Sequence, residues 1–466
     1  MANVQVADRG PLAGNRTFGG SGAVAVWIVA SLAMVGLMLA PAIWNGFPLI
    51  FPDTGGYFTA PLVQELANGR SALYGLFLDA GIPLAFWPCV VAQAALMTWL
   101  LAVTLRVNGL GGRPWLMLGI VALLCVATSL PWFAGQLMPD ILFAAAALSL
   151  YLLAYGGEKL ARWERWFNGA VIAFAMASHM AAAGMAIAVV AALAITRIPR
   201  LNLPPARLTF AAGSVAAGIL LCPVSNLALT GNLAFTPGGS SFLFGRLVED
   251  GLVEQYLADH CPDESLRLCA YQNELPDDAD SWLWWNGSPL YKMGGWGAYE
   301  PEAKRIIRDT LTEYPLMHVT TAVAAAISQM MSFETEIGVD DNGPTRWAFE
   351  EFVPQLYPAL LAARQQADRF DVSPLNALHV PVGYLSLAAM MLAIVLRRRL
   401  GLSREAYALC LVLLAAFCAN AIICGVFSHP VDRYQSRLML LAPLAVAVVA
   451  ARRLIPAPRP SQCAQA

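Results

Sequence analysis

Residues 23–44 read AVAVWIVASLAMVGLMLAPAIW, twenty-two positions without a charged side chain. About 20 such residues in an α-helix cross a bilayer core of about 30 Å. A helix also satisfies its own backbone N–H and C=O groups, which lipid cannot do. The run is longer than the roughly 7–15 residues of a signal-peptide core. It therefore reads as an uncleaved anchor, although Ala40-Pro41-Ala42 has the small residues of a cleavage site. Nine more apolar runs follow, at 82–105, 115–133, 137–155, 169–196, 208–230, 316–333, 377–396, 406–427 and 438–451. Two polar stretches, 231–315 and 334–376, interrupt the series.

Composition agrees with this reading. Of the 466 residues, 58% are hydrophobic and only 13% charged, against roughly 25% charged in an ordinary globular chain. A soluble enzyme and a disordered chain are excluded. Lys+Arg total 29 and Asp+Glu 31, so no basic field exists to hold a nucleic acid. The expected fold class is an all-α polytopic membrane protein. It has about ten transmembrane helices and a mixed extracytoplasmic loop region.

Orientation follows from Lys and Arg in the short loops. Let the N-terminus be cytoplasmic, let 169–196 be a pair of short helices turning near Ser178-His179, and let 316–333 not fully cross. The inner segments are then 1–22, 106–114, 156–168, 197–207, 397–405 and 452–466. They hold 17 of the 29 bases and 4 of the 31 acids. This topology places an N-terminal tail (1–22) and a C-terminal tail (454–466) in the cytoplasm. Membrane helices occupy 23–230 and 377–453, and an extracytoplasmic region with amphipathic and re-entrant helices occupies 231–376. The location is the inner membrane, multi-pass. The rival topology makes 169–196 one long helix and 316–333 a full span, and puts the acid-rich 231–315 loop inside.

Within the outer region, Cys261 and Cys269 lie eight apart in a polar loop, where a disulfide fits an oxidising side. Six other cysteines lie in apolar runs and read as small core residues. Residues 300–314 place Ile306, Ile307 and Leu311 on one face near Lys304, Arg305 and Arg308, which reads as an amphipathic helix on the membrane surface.

No Walker loop, G-x-G-x-x-G after a strand, H-E-x-x-H or G-x-S-x-G is present. Chemistry must therefore sit at the membrane, and the outer-face acids are where to look. The first outer loop holds Phe51-Pro52-Asp53-Thr54-Gly55-Gly56-Tyr57 and runs through Arg70 to Asp79. An Asp in apolar surroundings can act as a general base, or can cap a helix starting at Thr54. Asp140 heads the run to Tyr155. An acid at that depth is a functional candidate or an interfacial cap. His179 lies at the turn of the 169–196 pair, as a site residue or a satisfied core histidine. The last outer loop packs His429, Asp432, Arg433, Tyr434 and Arg437. Arginine's planar fork suits phosphate; the alternative is an interfacial anchor with an Asp432–Arg433 pair.

An acid in the first outer loop, Pro139-Asp140 after the third run, a large later outer loop and a final Arg433-Tyr434 loop together resemble the GT-C class of integral-membrane glycosyltransferases. The resemblance implies a lipid-linked sugar donor, a polyprenyl phosphate, and transfer at the extracytoplasmic face to an envelope glycan, lipid or protein acceptor. Asp53 then matches the catalytic acid. Asp140 matches the second acid, which supports the site or, with Asp53, binds a divalent metal ion in members that use one. Tyr57, Asp79, His179, His429, Arg433, Tyr434 and Arg437 are the expected substrate-binding residues. Many members carry two adjacent acids in the first loop; here Thr54 follows Asp53, leaving Asp79 or Glu65 as substitutes. A single base without a covalent intermediate implies inversion at the anomeric carbon. A transporter or flippase of lipid-linked sugars would use the same span count, but calls for charges at mid-span. A non-enzymatic envelope-assembly subunit would need only the large loop.

Overall fold

The computed structural model describes residues 21–199, 203–335, 338, 343–367 and 371–455. The cytoplasmic-tail expectations for 1–22 and 454–466 lie almost wholly outside these residues. Among the described residues every regular element is a helix, with one isolated parallel β-bridge between Leu49 and Gln136. Five helices are long and apolar enough to cross a membrane: Gly22–Asn45, Trp87–Val107, Thr209–Thr230, Ser373–Val395 and Arg404–Phe427. Pro114–Ala127, Ile141–Tyr155 and Met180–Ile195 are shorter apolar helices.

Helix Ile141–Tyr155 is the axis of the bundle, and all of its residues are buried. Its Ala144–Ala147 stretch has little side-chain bulk, so neighbouring helices can approach closely. Arg162–Ser178 and Thr209–Thr230 meet through two glycines. A methyl at Gly169 would lie 2.8 Å from Ser214 Oγ, and one at Gly218 would lie 2.8 Å from Met176 Sδ.

The 169–196 run is two helices. Arg162–Ser178 ends at His179, which is extended (φ −153°, ψ 125°), and Met180–Ile195 begins there. The second helix runs back alongside the first. At its far end Thr196 Oγ1 accepts from Ala206 N at 3.3 Å, and Arg207 N donates to Ala154 O at the end of the axial helix. The Pro315–Met331 helix also turns back. Met331 O accepts from Tyr384 Oη at 2.7 Å, about midway along Ser373–Val395. Four residues on, Thr335 N reaches Asn376 at the start of that helix (2.7 Å).

The base-rich short segments gather at one end of the bundle. Arg106 pairs with Glu164 (2.6 Å) and Lys159 with Glu405 (2.6 Å). Arg404 donates to Pro205 O, Arg452 to Asn108 O and Arg453 to Arg399 O.

At the other end sits a second, smaller core built from residues 239–313, with Phe244, Tyr256, Trp282 and Tyr299 buried in it. Cys261 and Cys269 are joined within it by a disulfide. The helix expected to lie on the membrane surface belongs to this unit. Gly295–Glu313 buries Tyr299, Ala303 and Ile306 against the unit's own core, leaving Leu311 exposed. Ile306 and Ile307 of the expected stripe cover protein, while Leu311 does not share that face.

Candidate functional site

Three loops meet at the end of the bundle that carries the 239–313 unit, its cap. Leu49 N donates to Gly135 O (2.9 Å) and Leu137 N to Leu49 O (2.8 Å), joining the first loop to the second. Gln93 steadies the second loop by donating to Ala134 O and Gln136 O (3.1 and 2.9 Å), and it accepts from Tyr74 Oη (2.8 Å). Thr345 Oγ1 donates to Pro52 O at 2.7 Å. The third loop, 428–437, folds inward beside the Arg404–Phe427 helix. Gln329 clamps Val431 through both of its backbone groups (2.7 and 3.0 Å), and Asn420 Nδ2 donates to Tyr434 O (2.7 Å). This inward fold leaves the last helix, Leu441–Leu454, only 14 residues long.

Asp140 is where the loops converge. Arg433 donates to it from Nε to Oδ1 at 3.2 Å and from Nη2 to Oδ2 at 2.9 Å. Arg437 Nη1 donates to Oδ1 at 3.1 Å. Asp140 and Arg437 are fully buried, and Arg433 nearly so. Arg437 continues to Asn420 Oδ1 at 3.0 Å, and its guanidinium lies 3.3 Å from the Phe143 ring centroid. Arg433 lies 3.7 Å over the Phe51 ring, two residues from Asp53. Neither acid caps a helix through its side chain. Nor does Arg433 pair with Asp432, whose Oδ1 instead accepts from Glu334 N.

Asp53 pairs with Arg70. Arg70 also donates to Asn68 O (2.7 Å), and the Trp284 ring of the cap lies 5.8 Å from its guanidinium. Gly56 makes room for it, since a methyl there would stand 2.9 Å from Arg70 Cδ. Burial raises the Asp53 pKa, but Arg70 and Arg433 outweigh burial and hold it below the usual value. Asp53 is therefore a carboxylate at neutral pH. At 30% side-chain exposure it is the open member of the cluster, while Arg70 keeps 14%. Three guanidiniums face two carboxylates, leaving one positive charge in excess.

The other expected site residues divide. Tyr434 lies against both arginines, its ring 5.9 Å from Arg433 and 5.1 Å from Arg437. His179 feels the charges of Arg437 and Asp140, but its Nδ1 is used to cap the returning helix by accepting from Ala181 N. Tyr57 is 1% exposed and packs on Tyr74 (5.2 Å), so it supports the site from beneath and offers a ligand no surface. Asp79 stands apart. Its pKa is raised to about 7 by burial, with no charged group contributing. His429 faces the cap, with its Nε2 3.4 Å from Asp280.

Arg70 and Asn420 are the members that sequence reasoning passed over. An amide inside an otherwise apolar run was the available signal for Asn420. Arg70 had no signal beyond being a base in an acid-rich outer loop.

The donor set does not fit a divalent metal ion. Both oxygens of Asp140 are taken by guanidiniums, Asp53 shares its charge with Arg70, and the net local charge is positive. Among the described residues no group of three His, Cys, Asp or Glu side chains is placed to hold a metal. Comparison with protein-family models, curated proteins and solved structures finds no match to this chain.

Proposed function

We propose that this chain is an integral-membrane glycosyltransferase of the GT-C type. It would move a sugar from a polyprenyl-phosphate donor to an envelope glycan, lipid or protein acceptor at the extracytoplasmic face of the inner membrane. The observation that carries the reading is the cluster itself: an ionised, partly open Asp53 paired with Arg70 and near Arg433, in a group of three arginines and two acids at the head of an apolar bundle. A negatively charged lipid headgroup suits the excess positive charge, and a sugar hydroxyl suits the carboxylate. The ten-crossing topology goes with this reading. The returning pair at His179 and the turned-back Pro315–Met331 helix favour it, as does the gathering of the bases at the end opposite Asp53 and the disulfide.

In this mechanism the acceptor hydroxyl attacks the anomeric carbon, and Asp53 takes its proton as the new C–O bond forms. The bond from the anomeric carbon to the phosphate oxygen breaks on the opposite face, so configuration inverts. The leaving phosphate gains negative charge, which fixed cations stabilise best where water is excluded. Arg70, the reachable arginine, contacts it. Arg433 and Arg437 are positioning residues locked by Asp140, and they supply the surrounding field. Asp140 itself touches no substrate.

The second reading, a lipid-linked-sugar flippase, draws on the full burial of Asp140 and Arg437. Binding separates the lipid-phosphate readings from a purely structural cluster. Decaprenyl phosphate should raise the melting temperature of the purified chain, while decaprenol should not. Arg70→Gln should remove the shift. Equal stabilisation by both lipids, or none by either, would contradict the proposed phosphate site.

A further inference from the structure

At the base-rich end of the bundle, away from Asp53, the single turn 395–399 lines an open surface cavity of about 290 Å³. We propose that it holds the phosphodiester headgroup of an anionic membrane phospholipid.

The Ser373–Val395 helix runs out into a turn carrying Arg397, Arg398 and Arg399. The turn is closed by Leu400 N to Leu396 O (2.9 Å) and Leu402 N to Arg397 O (3.1 Å), with Gly401 at φ +58° where a side chain would be strained. The Arg397 guanidinium lies 4.6 Å from the Tyr407 ring centroid, and Arg453 Nη2 reaches Arg399 O (3.5 Å). The cavity wall is therefore tied to two neighbouring helices. Arg398 and Arg399 are exposed, and no carboxylate among the described residues pairs with them. Glu405, the nearest acid in sequence, is held by Lys159 at 2.6 Å.

Arginines after a helix C-terminus also complement its dipole, and bases collect on one side of a membrane protein in any case. Neither effect requires a cavity. Beside the arginines, Val395 is 76% and Leu392 56% exposed on the Ser373–Val395 helix, the surface that a membrane-spanning helix turns toward acyl chains. Guanidiniums above exposed aliphatic side chains match a molecule with a phosphate at one end and acyl chains at the other. Free phosphate would use the cations but not the aliphatic side chains. Bases held at a membrane surface attract anionic lipids in this way, at roughly 1 kcal/mol per base.

The test is native mass spectrometry of the full chain in detergent, titrated with dioleoyl phosphatidylglycerol, dioleoyl phosphatidylcholine or inorganic phosphate. Phosphatidylglycerol should be retained in preference to phosphatidylcholine. Arg398→Gln with Arg399→Gln should weaken retention roughly 10- to 30-fold, as loss of two such charges would. The paired Lys substitutions should keep most of it, and Arg162→Gln, an exposed base on another helix at the same end, should keep all of it. Equal retention of the two lipids would overturn the proposal. So would equal loss in Arg162→Gln, or displacement of phosphatidylglycerol by submillimolar phosphate.

Discussion

Replacing Asp140 with Asn separates structural from chemical roles in the cluster. Asn keeps the shape of Asp but removes the charge, and its amide nitrogen must face one of the two guanidiniums. Three charge-assisted bonds of 2.9–3.2 Å from Arg433 and Arg437 end on this carboxylate, which is fully buried. Breaking a buried pair by removing one partner costs about 3–5 kcal/mol, because an uncompensated charge is left behind. Here two charges are left. Total stability is typically about 5–15 kcal/mol, so Asp140→Asn should lose a large share of it. The assay is thermal stability of a fluorescent fusion followed by size-exclusion chromatography. Asp140→Asn should show a strongly lowered midpoint, and adding Arg433→Gln should recover part of it by restoring charge balance. A midpoint for Asp140→Asn within about a degree of the wild type would refute the reasoning, because Asp140 would then not be the counter-charge that holds both arginines.

Other outcomes follow from the same geometry. Burial pushes the His429 pKa down, but Asp280 outweighs it, aided by Glu249 and opposed by Arg246, and holds it above its ordinary value. A group raised on folding contributes stability that is full below its unfolded pKa of about 6.5 and is lost as pH rises through the folded value. Protection factors of residues 279–284, corrected for the intrinsic pH dependence of amide exchange, should therefore be higher at pH 5.5 than at pH 8, and His429→Ala should abolish the difference. Gly75→Ala would drive a methyl into the carbonyl oxygen of Tyr57. It should cost about 1–3 kcal/mol as overpacking and lower the melting midpoint, whereas Gly36→Ala, which meets nothing within 4 Å, should not. Non-reduced peptide mapping should recover residues 261 and 269 as one linked species, and two free thiols would contradict the pairing.

The sequence exposed the parts of this fold that depend on local composition. Apolar length marked the helices, and the separation of bases from acids grouped 106–114, 156–168, 197–207, 397–405 and 452–466 on one side; among their described residues Arg106 meets Glu164, Lys159 meets Glu405, Arg404 meets Pro205 and Arg452 meets Asn108. The same separation anticipated the turn at His179, although no Gly or Pro stands there to break the helix. The charge balance was the signal, since a continuous helix would have carried Arg197, Arg200 and Arg207 to the acidic side. What the sequence could not show was which charge meets which. Asp432 is adjacent to Arg433, yet the arginine reaches 293 positions back to Asp140. Thr54 invited a capping role for Asp53, yet Arg70, seventeen positions on, claims it. Such pairings are set by how the loops fold onto the bundle, and no local pattern encodes that. Tyr57 shows the same limit: it follows an acid in the first outer loop, yet it lies in the 54–63 helix and packs against Tyr74 of the 72–79 helix, which leaves it buried.

The central claim is that Asp53 is a base acting on an acceptor hydroxyl. It is tested most directly by comparing envelope extracts from cells lacking the chain with cells complemented by wild type or by Asp53→Asn. The pair with Arg70 is mostly buried, at 30% and 14% exposure, so Asp53→Asn should lower stability somewhat, and product is normalised to the amount of variant in the membrane. Wild type should restore a product heavier by one sugar residue. Asp53→Asn should restore about 10²- to 10⁴-fold less, as loss of a general base does. Full restoration of that product by Asp53→Asn would contradict the account.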